Sequence, residues 1–193
     1  MSENKTSTAF HKPAKVVCNG EVFLPYISKK QIDKRLGELG DALNKDFKDK
    51  NPIFIGVLNG AFIFISDLLR YIKVPCEMDF LKLSSYGDEK VSSGEVTEKK
   101  AIDAAIEGRH VILVEDIVDT GLSMTYLVKK MMKKQPASVS IITLLHKKEA
   151  TKHDLQLDYT GFIIPNKFVL GYGMDYAQQG RNLPQIYILE ENN

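Results

Sequence analysis

Residues 111–123 read VILVEDIVDTGLS, in which a four-residue apolar run leads into acids and a turn of small residues. Three of the first four residues are β-branched, which is typical of a strand buried on both faces, as in a parallel sheet. Glu115 and Asp116 stand where this strand should end, and Asp119 precedes the turn and a helix. Because ligands of open α/β sheets bind beyond the carboxyl ends of the strands, these acids mark a candidate functional site.

The same order of strand, turn and helix occurs earlier in the chain. Residues 53–58 are apolar, and the turn Asn59-Gly60 and an apolar helix over 61–72 follow them. Periodicity predicts helices at 28–47 and 124–132 and further strands at 16–26, 76–83, 138–145, 161–164, 168–170 and 186–189. This order predicts an α/β fold: a single domain over 1–193, with a central, mainly parallel twisted sheet flanked by helices.

The composition narrows the class of protein. The 26 basic and 25 acidic residues leave a net charge of +1, which argues against nucleic acid as the main partner. No apolar run reaches the roughly 20 residues needed to cross a bilayer, so we expect no membrane association. The two cysteines form no metal or redox motif, and residues 1–15 lack the apolar core of a signal peptide. We therefore expect a cytoplasmic protein.

Two segments lack a pattern that would build a core. Residues 1–12 are rich in Ser, Thr, Lys and Asn, and we expect a loose tail. Residues 84–100 are polar and punctuated by glycine. A loop of that length in a compact domain is usually functional or disordered, although a solvated hairpin fits these residues equally well.

The turn after Asp119 invites two interpretations. Aspartic proteases use Asp-Thr-Gly, but their chemistry needs two carboxylates that share a proton, and this chain has one copy in an α/β pattern. A short turn of small residues before a helix instead leaves backbone N–H groups free to bind phosphate, and Thr120 and Ser123 add hydroxyl donors. Glu115 and Asp116 could then accept from sugar hydroxyls or hold a hard cation. The combination predicts a site for a phosphorylated ribose.

These thirteen residues resemble the phosphoribosyl-pyrophosphate motif of the type I phosphoribosyltransferases. That motif has four apolar residues, two acids, two spacers, Asp, Thr or Ser, Gly, a spacer, and Thr or Ser. Other segments resemble the 6-oxopurine (hypoxanthine-guanine) branch of the family: VLNG at 57–60, LSSYG at 83–87, LLHKK at 144–148, KFVLGYGMD at 167–175 and RNL at 181–183. The resemblance extends from about residue 53 to residue 189.

The resemblance implies an enzyme of purine salvage. It would transfer 5-phosphoribosyl from 5-phosphoribosyl-1-pyrophosphate to N9 of hypoxanthine or guanine, giving IMP or GMP and pyrophosphate, with Mg²⁺ as cofactor. It also implies a homodimer or homotetramer. Two alternatives remain open: an enzyme of the same fold that prefers xanthine, and a nucleotide-sensing RNA-binding regulator.

The resemblance also implies a role for each residue of the motif. The family residues that match Glu115 and Asp116 contact the ribose 2′ and 3′ hydroxyls and, together with the match to Asp175, hold Mg²⁺. The match to Asp119 is the catalytic residue, which takes or relays the proton at purine N7. The motif residues expected to contact substrate are Glu115, Asp116, Ile117, Val118, Asp119, Thr120, Gly121, Leu122 and Ser123.

Further matches lie outside the motif and concern the base. Lys147 matches the lysine that bonds purine O6, Phe168 the aromatic residue that stacks on the base, and Val169 the residue whose backbone meets the purine edge. A lysine favours a 6-oxo group over a 6-amino group, because an amino group would leave the ammonium without an acceptor.

The remaining matches concern pyrophosphate and closure of the site. Arg181 and the turn Asn59-Gly60 match pyrophosphate-binding positions; many relatives carry Lys where Asn59 stands, after an unusual cis peptide. Ser85 and Tyr86 match a flexible loop, so the resemblance makes residues 84–100 a mobile lid. It also predicts a small hood over the base from residues 161–189, with part of the N-terminal segment.

Overall fold

Ten strands and three helices make up the part of the chain that the structure describes. This computed structural model describes residues 15–85 and 96–190. The elements in chain order are β1 (Val16–Cys18), β2 (Glu21–Ile27), α1 (Lys29–Asp46), β3 (Ile53–Leu58), α2 (Phe62–Leu69), β4 (Glu77–Ser85), β5 (Val96–Lys100), β6 (His110–Val118), α3 (Leu122–Met132), β7 (Ser138–His146), β8 (Tyr159–Ile163), β9 (Val169–Leu170) and β10 (Ile186–Leu189).

Six strands form the central sheet, in the order β5-β4-β3-β6-β7-β8. All neighbouring pairs are parallel except β4 and β5, which are antiparallel. The predicted α/β class with a mainly parallel sheet is therefore confirmed. Because β3, β6 and β7 are parallel, their carboxyl ends meet at the same edge of the sheet.

Strand β6 is buried on both faces, as its apolar run predicts. Ile112 and Val114 pack into the core formed with α1 and α2, whereas Val111 and Leu113 pack into the core formed with α3. All four side chains are completely buried, and full burial of an aliphatic side chain stabilises a protein by about 1.5–3 kcal/mol. The strand is thus a rigid support for the acids that end it.

Helix α1 begins at a capping box. Ser28 Oγ accepts from Gln31 N, and Ser28 N donates to Gln31 Oε1 at 3.0 Å, which satisfies N–H groups that have no partner in the first turn. Ile32, Leu36 and Leu43 follow on one face and are buried against the sheet. The periodicity of the sequence predicted this helix, and Ser28 and Gln31 stand at the spacing of a capping box in the sequence. Helix α2 is shorter than the predicted 61–72.

A second sheet is antiparallel and has the order β1-β2-β10-β9. It joins the two ends of the chain, which confirms a small hood built from C-terminal and N-terminal segments. The hood starts later than the predicted residue 161, however. Residues 161–163 belong to β8 at the edge of the central sheet, because Phe162 pairs in parallel with Leu145 of β7.

Several predicted boundaries fall at or beyond the limits of the described residues. The segment 84–100, predicted as a loop, begins and ends in strands: Ser85 of β4 pairs with Val96 of β5. The central part of that segment and the predicted tail at 1–12 lie outside the described residues. Within the described ranges, no helix is long and apolar enough to cross a membrane.

Candidate active site

The ends of β3 and β6 meet in close contact between a glycine and a carboxylate. A Cβ on Gly60 would lie 1.8 Å from Asp116 Oδ2, so a larger residue would displace the acid. The peptide bond between Leu58 and Asn59 is cis, as the family resemblance implies. Asn59 itself is exposed at the start of this turn.

Glu115 and Asp116 form a buried acidic pair. Asp116 is 8% exposed, and Glu115 Oε2 is buried without a hydrogen-bond partner among the described residues. Burial raises the pKa of Glu115 well above its ordinary value, and the neighbouring charge of Asp116 adds to this. Burial also raises the pKa of Asp116, against the hydrogen bond from Ile117 N and the smaller effect of the Arg181 charge, which both lower it. Such a pair favours a ligand that brings a cation or hydroxyl donors.

We call residues 118–123 the phosphate loop. Gly121 has a φ of 84° and caps α3, a conformation that glycine adopts without steric cost. The first N–H groups of a helix have no acceptor within it, and only Leu122 N finds a local one among the contacts described, Thr120 Oγ1 at 3.4 Å. A cavity of about 110 Å³ opens here, lined by Glu115, Ile117, Val118, Asp119, Thr120, Gly121, Leu122, Ser123 and Met124. The loop can therefore receive a phosphate group.

A second cavity of about 250 Å³ adjoins the first and shares Ile117 and Asp119 with it. Its lining is Asp116, Ile117, Asp119, Lys147, Phe168, Val169, Met174 and Asp175. Sequence reasoning gave no role to Met174, although the residue lies within the segment 167–175 that carried the resemblance. An apolar side chain has no chemical signature, so only the fold reveals its place in this cavity.

Polar and aromatic groups both line this second cavity. Lys147 Nζ donates to Asp119 Oδ2 at 2.8 Å, and the Lys147 side chain is 10% exposed. The Phe168 ring is 42% exposed and meets the Tyr176 ring edge-on, with 5.2 Å between the ring centres. Val169 lies in β9 and is buried. A flat heterocycle could stack on Phe168 and place its polar edge at Lys147 and Asp119.

The hood contributes an arginine and a carboxylate to the edge of the site. Arg181 Nη2 lies 2.6 Å from Asp175 Oδ1, and Arg181 Nη1 donates to Gly173 O at 2.9 Å. A Cβ on Gly173 would lie 2.2 Å from Gly60 O. The turn that precedes Asp175 thus packs directly on the turn that follows β3.

The acids also bear on the predicted magnesium site. Within residues 15–85 and 96–190, no three or more His, Cys, Asp or Glu side chains are grouped closely enough to hold a metal ion. Mg²⁺ does not need such a group, because it is usually held by one or two carboxylates with substrate phosphates and water. Asp116 and Asp175 line the second cavity, and Glu115 lines the adjoining cavity at the phosphate loop. These residues fit an ion that arrives with a phosphorylated substrate.

The structure therefore brings together most of the predicted site residues. The motif residues 115–123, together with Lys147, Phe168, Val169 and Asp175, line the two cavities. Gly60 and Arg181 contact members of that set. Ser85 ends β4, and Tyr86 lies outside the described residues, so the lid remains a prediction.

Known proteins match this chain in sequence and in fold. The family described as "Phosphoribosyl transferase domain" matches residues 28–177. A hypoxanthine-guanine phosphoribosyltransferase of Bacillus subtilis is 45% identical over 164 residues, which are 85% of this chain and 91% of that relative.

Solved structures agree with these sequence matches. A hypoxanthine-guanine phosphoribosyltransferase of Bacillus anthracis has a TM-score of 0.81 at 40% identity, covering 85% of this chain and 96% of that one. A hypoxanthine phosphoribosyltransferase of Staphylococcus aureus has a TM-score of 0.83 at 36% identity, covering 86% of this chain and 90% of that one.

Proposed function

The chain belongs to the hypoxanthine-guanine phosphoribosyltransferases of the type I family, and we propose how its own residues carry out that purine-salvage reaction. The reaction forms a bond between purine N9 and ribose C1′ of 5-phosphoribosyl-1-pyrophosphate and breaks the bond from C1′ to pyrophosphate. The purine also loses one proton. The protein must therefore bind a phosphate, a diol, a leaving group and a 6-oxopurine in fixed positions.

The observation that carries this proposal is the Lys147–Asp119 pair, which lines the same cavity as Phe168. The purine stacks on the exposed face of Phe168. The Lys147 ammonium turns from Asp119 to the purine O6, which accepts its hydrogen bond. Asp119 then accepts the N7 proton as N9 attacks, so that the pair serves both recognition and proton transfer.

The sugar phosphate occupies the neighbouring cavity. The N–H groups of the phosphate loop and the hydroxyls of Thr120 and Ser123 bind the 5′-phosphate. Glu115 and Asp116 accept hydrogen bonds from the ribose hydroxyls. The protein contributes position and charge stabilisation rather than a covalent intermediate.

The leaving pyrophosphate lies where Gly60, Asp175 and Arg181 meet. The Arg181 fork suits two phosphate oxygens, and the backbone at Asn59-Gly60 offers a further contact. Bound Mg²⁺ would neutralise the charge that develops on this leaving group. Asp116 and Asp175 are the carboxylates best placed to hold that ion, with Glu115 in the lining of the adjoining cavity.

Three expectations from the sequence stay predictions. The homodimer or homotetramer and closure of a lid over the site rest on the family resemblance, and the cytoplasmic location rests on the composition. A preference for xanthine would have to come from the groups that face the purine C2 position. The RNA-binding regulator is disfavoured by the near-neutral charge and by a cavity that already suits a purine.

A turnover screen tests the proposal. The protein is incubated with 5-phosphoribosyl-1-pyrophosphate, Mg²⁺ and one base at a time: hypoxanthine, guanine, xanthine, adenine or uracil. Nucleotide formation with hypoxanthine or guanine, and little with adenine or uracil, is the expected result. Turnover of uracil alone, or of no base, would contradict it.

A further inference from the structure

Residues 147–153 run behind the phosphate loop and bond to its backbone. Lys147 N donates to Val118 O at 2.9 Å, and Lys152 N donates to Thr120 O at 3.1 Å. Both donors are backbone N–H groups of one short segment that follows β7. The carbonyls of the loop are therefore held on the side of this segment, which leaves the N–H groups of the loop and of α3 to face a ligand.

The carbonyl between these two is held by a side chain. Thr151 Oγ1 lies 2.9 Å from Asp119 O and 3.1 Å from Lys147 O. Lys147 O also accepts from Ala150 N at 3.0 Å, and a carbonyl oxygen can accept two hydrogen bonds, so the hydroxyl proton is shared between Asp119 O and Lys147 O, with the shorter contact to Asp119 O. His146 Nε2, at 3.0 Å, donates to the same hydroxyl oxygen when that nitrogen carries the proton.

The hydroxyl of Thr151 thus connects the two residues that face the base. Asp119 and Lys147 form an ion pair through their side chains, and Thr151 lies against the backbone of both. The methyl group of Thr151 also lies 3.5 Å from the place that a Cβ on Gly121 would occupy. One partly buried residue therefore touches the phosphate loop, the helix cap and the base-binding lysine.

We infer that Thr151 is a positioning residue that holds the phosphate loop and Lys147 in one register, so that the 5′-phosphate and the purine are bound at a fixed separation. This rests on the function proposed above for the site. Loss of the hydroxyl leaves Asp119 O without its donor, and the loop is then free to turn that carbonyl toward the phosphate. Small displacements of a binding loop are enough to cost about 100-fold in rate.

The test uses two substitutions of Thr151 and one control. Thr151→Val removes the hydroxyl and keeps the shape, whereas Thr151→Ser keeps the hydroxyl and removes the methyl group. Thr143→Val is the control, since the Thr143 hydroxyl also donates to a backbone carbonyl, that of Leu145, at 2.8 Å. Thermal unfolding of each variant establishes that it is folded at the assay temperature.

Two probes separate the parts of the site. Ribose 5-phosphate tests the phosphate loop alone, and IMP tests the loop and the base pocket together. Thr151→Val is expected to weaken the binding of both probes by about 10-fold and to lower kcat/KM by about 10- to 100-fold. Thr151→Ser and Thr143→Val are expected to stay close to the wild-type protein in both affinities.

Three outcomes would contradict the inference or the function on which it rests. Wild-type affinity of Thr151→Val for both probes would overturn the inference while the proposed function stands. Equal losses in the Val and Ser variants would also overturn it, because the hydroxyl would then not be the cause. A wild-type protein that binds neither probe would contradict the proposed function, and the inference with it.

Discussion

Lys147 Nζ and Asp119 Oδ2 lie 2.8 Å apart in the lining of the second cavity, although 28 positions separate the two residues in the chain. The lysine is nearly buried, and a buried ammonium needs a partner. Asp119 is that partner, and it is half exposed toward the cavity. A 6-oxopurine can replace Asp119 as the partner of Lys147, because the purine O6 accepts from the ammonium. The purine N7–H then donates to the Asp119 carboxylate.

Replacing Lys147 with alanine should therefore weaken binding of the base more than binding of the sugar phosphate. We expect KM for hypoxanthine to rise by about 10- to 100-fold, the range that corresponds to loss of a hydrogen bond from a charged group. KM for 5-phosphoribosyl-1-pyrophosphate should change much less. Steady-state kinetics with each substrate varied in turn measures both. Lys148→Ala is the matched control, since Lys148 is exposed; a parallel rise in both KM values would contradict the assignment.

Asp119→Asn keeps the shape of the carboxylate but cannot take a proton. Turnover should fall by about 10²- to 10⁴-fold, the usual contribution of a general base, while affinity for IMP falls far less. Single-turnover rates and calorimetric titration with IMP separate the two effects. The exposed Asp154→Asn serves as the control. Equal losses of turnover and affinity would make Asp119 a structural part of the loop rather than a proton acceptor.

Gly60→Ala should disturb the acidic pair directly. The added methyl group would lie 1.8 Å from Asp116 Oδ2, so the carboxylate must move, and we expect kcat/KM to fall by about 100-fold. Gly37→Ala is the matched control. Gly37 lies in α1, and a Cβ there would lie 3.7 Å from the Tyr71 ring, an ordinary van der Waals distance. That variant should keep its activity and gain about 0.5–1 kcal/mol in unfolding free energy. An active Gly60→Ala enzyme would show that the contact is unimportant.

Tyr172 ties the hood to α2. Its hydroxyl donates to Asp67 Oδ2 at 2.7 Å. Burial is the larger cause and this hydrogen bond the next that raise the pKa of Tyr172, so the hydroxyl keeps its proton. Tyr172→Phe should lower the unfolding free energy by about 1–2 kcal/mol and raise KM for 5-phosphoribosyl-1-pyrophosphate, because the adjoining Gly173 packs on Gly60.

Tyr159→Phe is the comparison for this change. The Tyr159 hydroxyl donates to Asp46 at 2.8 Å, a similar bond that joins β8 to the end of α1. Its loss should affect denaturant unfolding but not KM. A rise in KM of the same size in both variants would assign the effect to general destabilisation.

Glu115 gives a prediction for pH. Its pKa is raised in the folded state, first by burial and then by the charge of Asp116, so the ionised form costs stability. This cost is absent below the unfolded pKa of about 4.3 and grows as pH rises toward the folded pKa. Glu115→Gln should therefore be more stable than the wild-type protein at pH 7, with a difference that shrinks toward pH 4.

The same substitution should weaken substrate binding. Urea denaturation between about pH 4 and pH 7 measures the stability difference, with Glu149→Gln as the control because Glu149 is exposed. Titration with 5-phosphoribosyl-1-pyrophosphate and Mg²⁺ measures the loss of binding. A Glu115→Gln variant that is less stable at every pH would contradict the predicted sign.

Strand β6, the phosphate loop and the capping box of α1 could be predicted because their signals are local. An apolar run, a turn of small residues and a Ser-x-x-Gln spacing each act within a few residues of the chain. The boundary of the hood could not be predicted in this way. Tyr159–Ile163 is a short strand whose membership depends on pairing with β7, and no local pattern distinguishes one sheet from the other.

The site residues also fall into a group that the sequence predicts and a group that only the fold brings together. The residues 115–123 were recognisable as a phosphoribosyl site from their order in the chain. The Lys147–Asp119 pair and the contacts of Thr151 depend instead on the parallel register that sets Val118 opposite His146. Register is a property of two strands packed between two cores, so only the folded protein could determine which side chains meet beyond the strand ends.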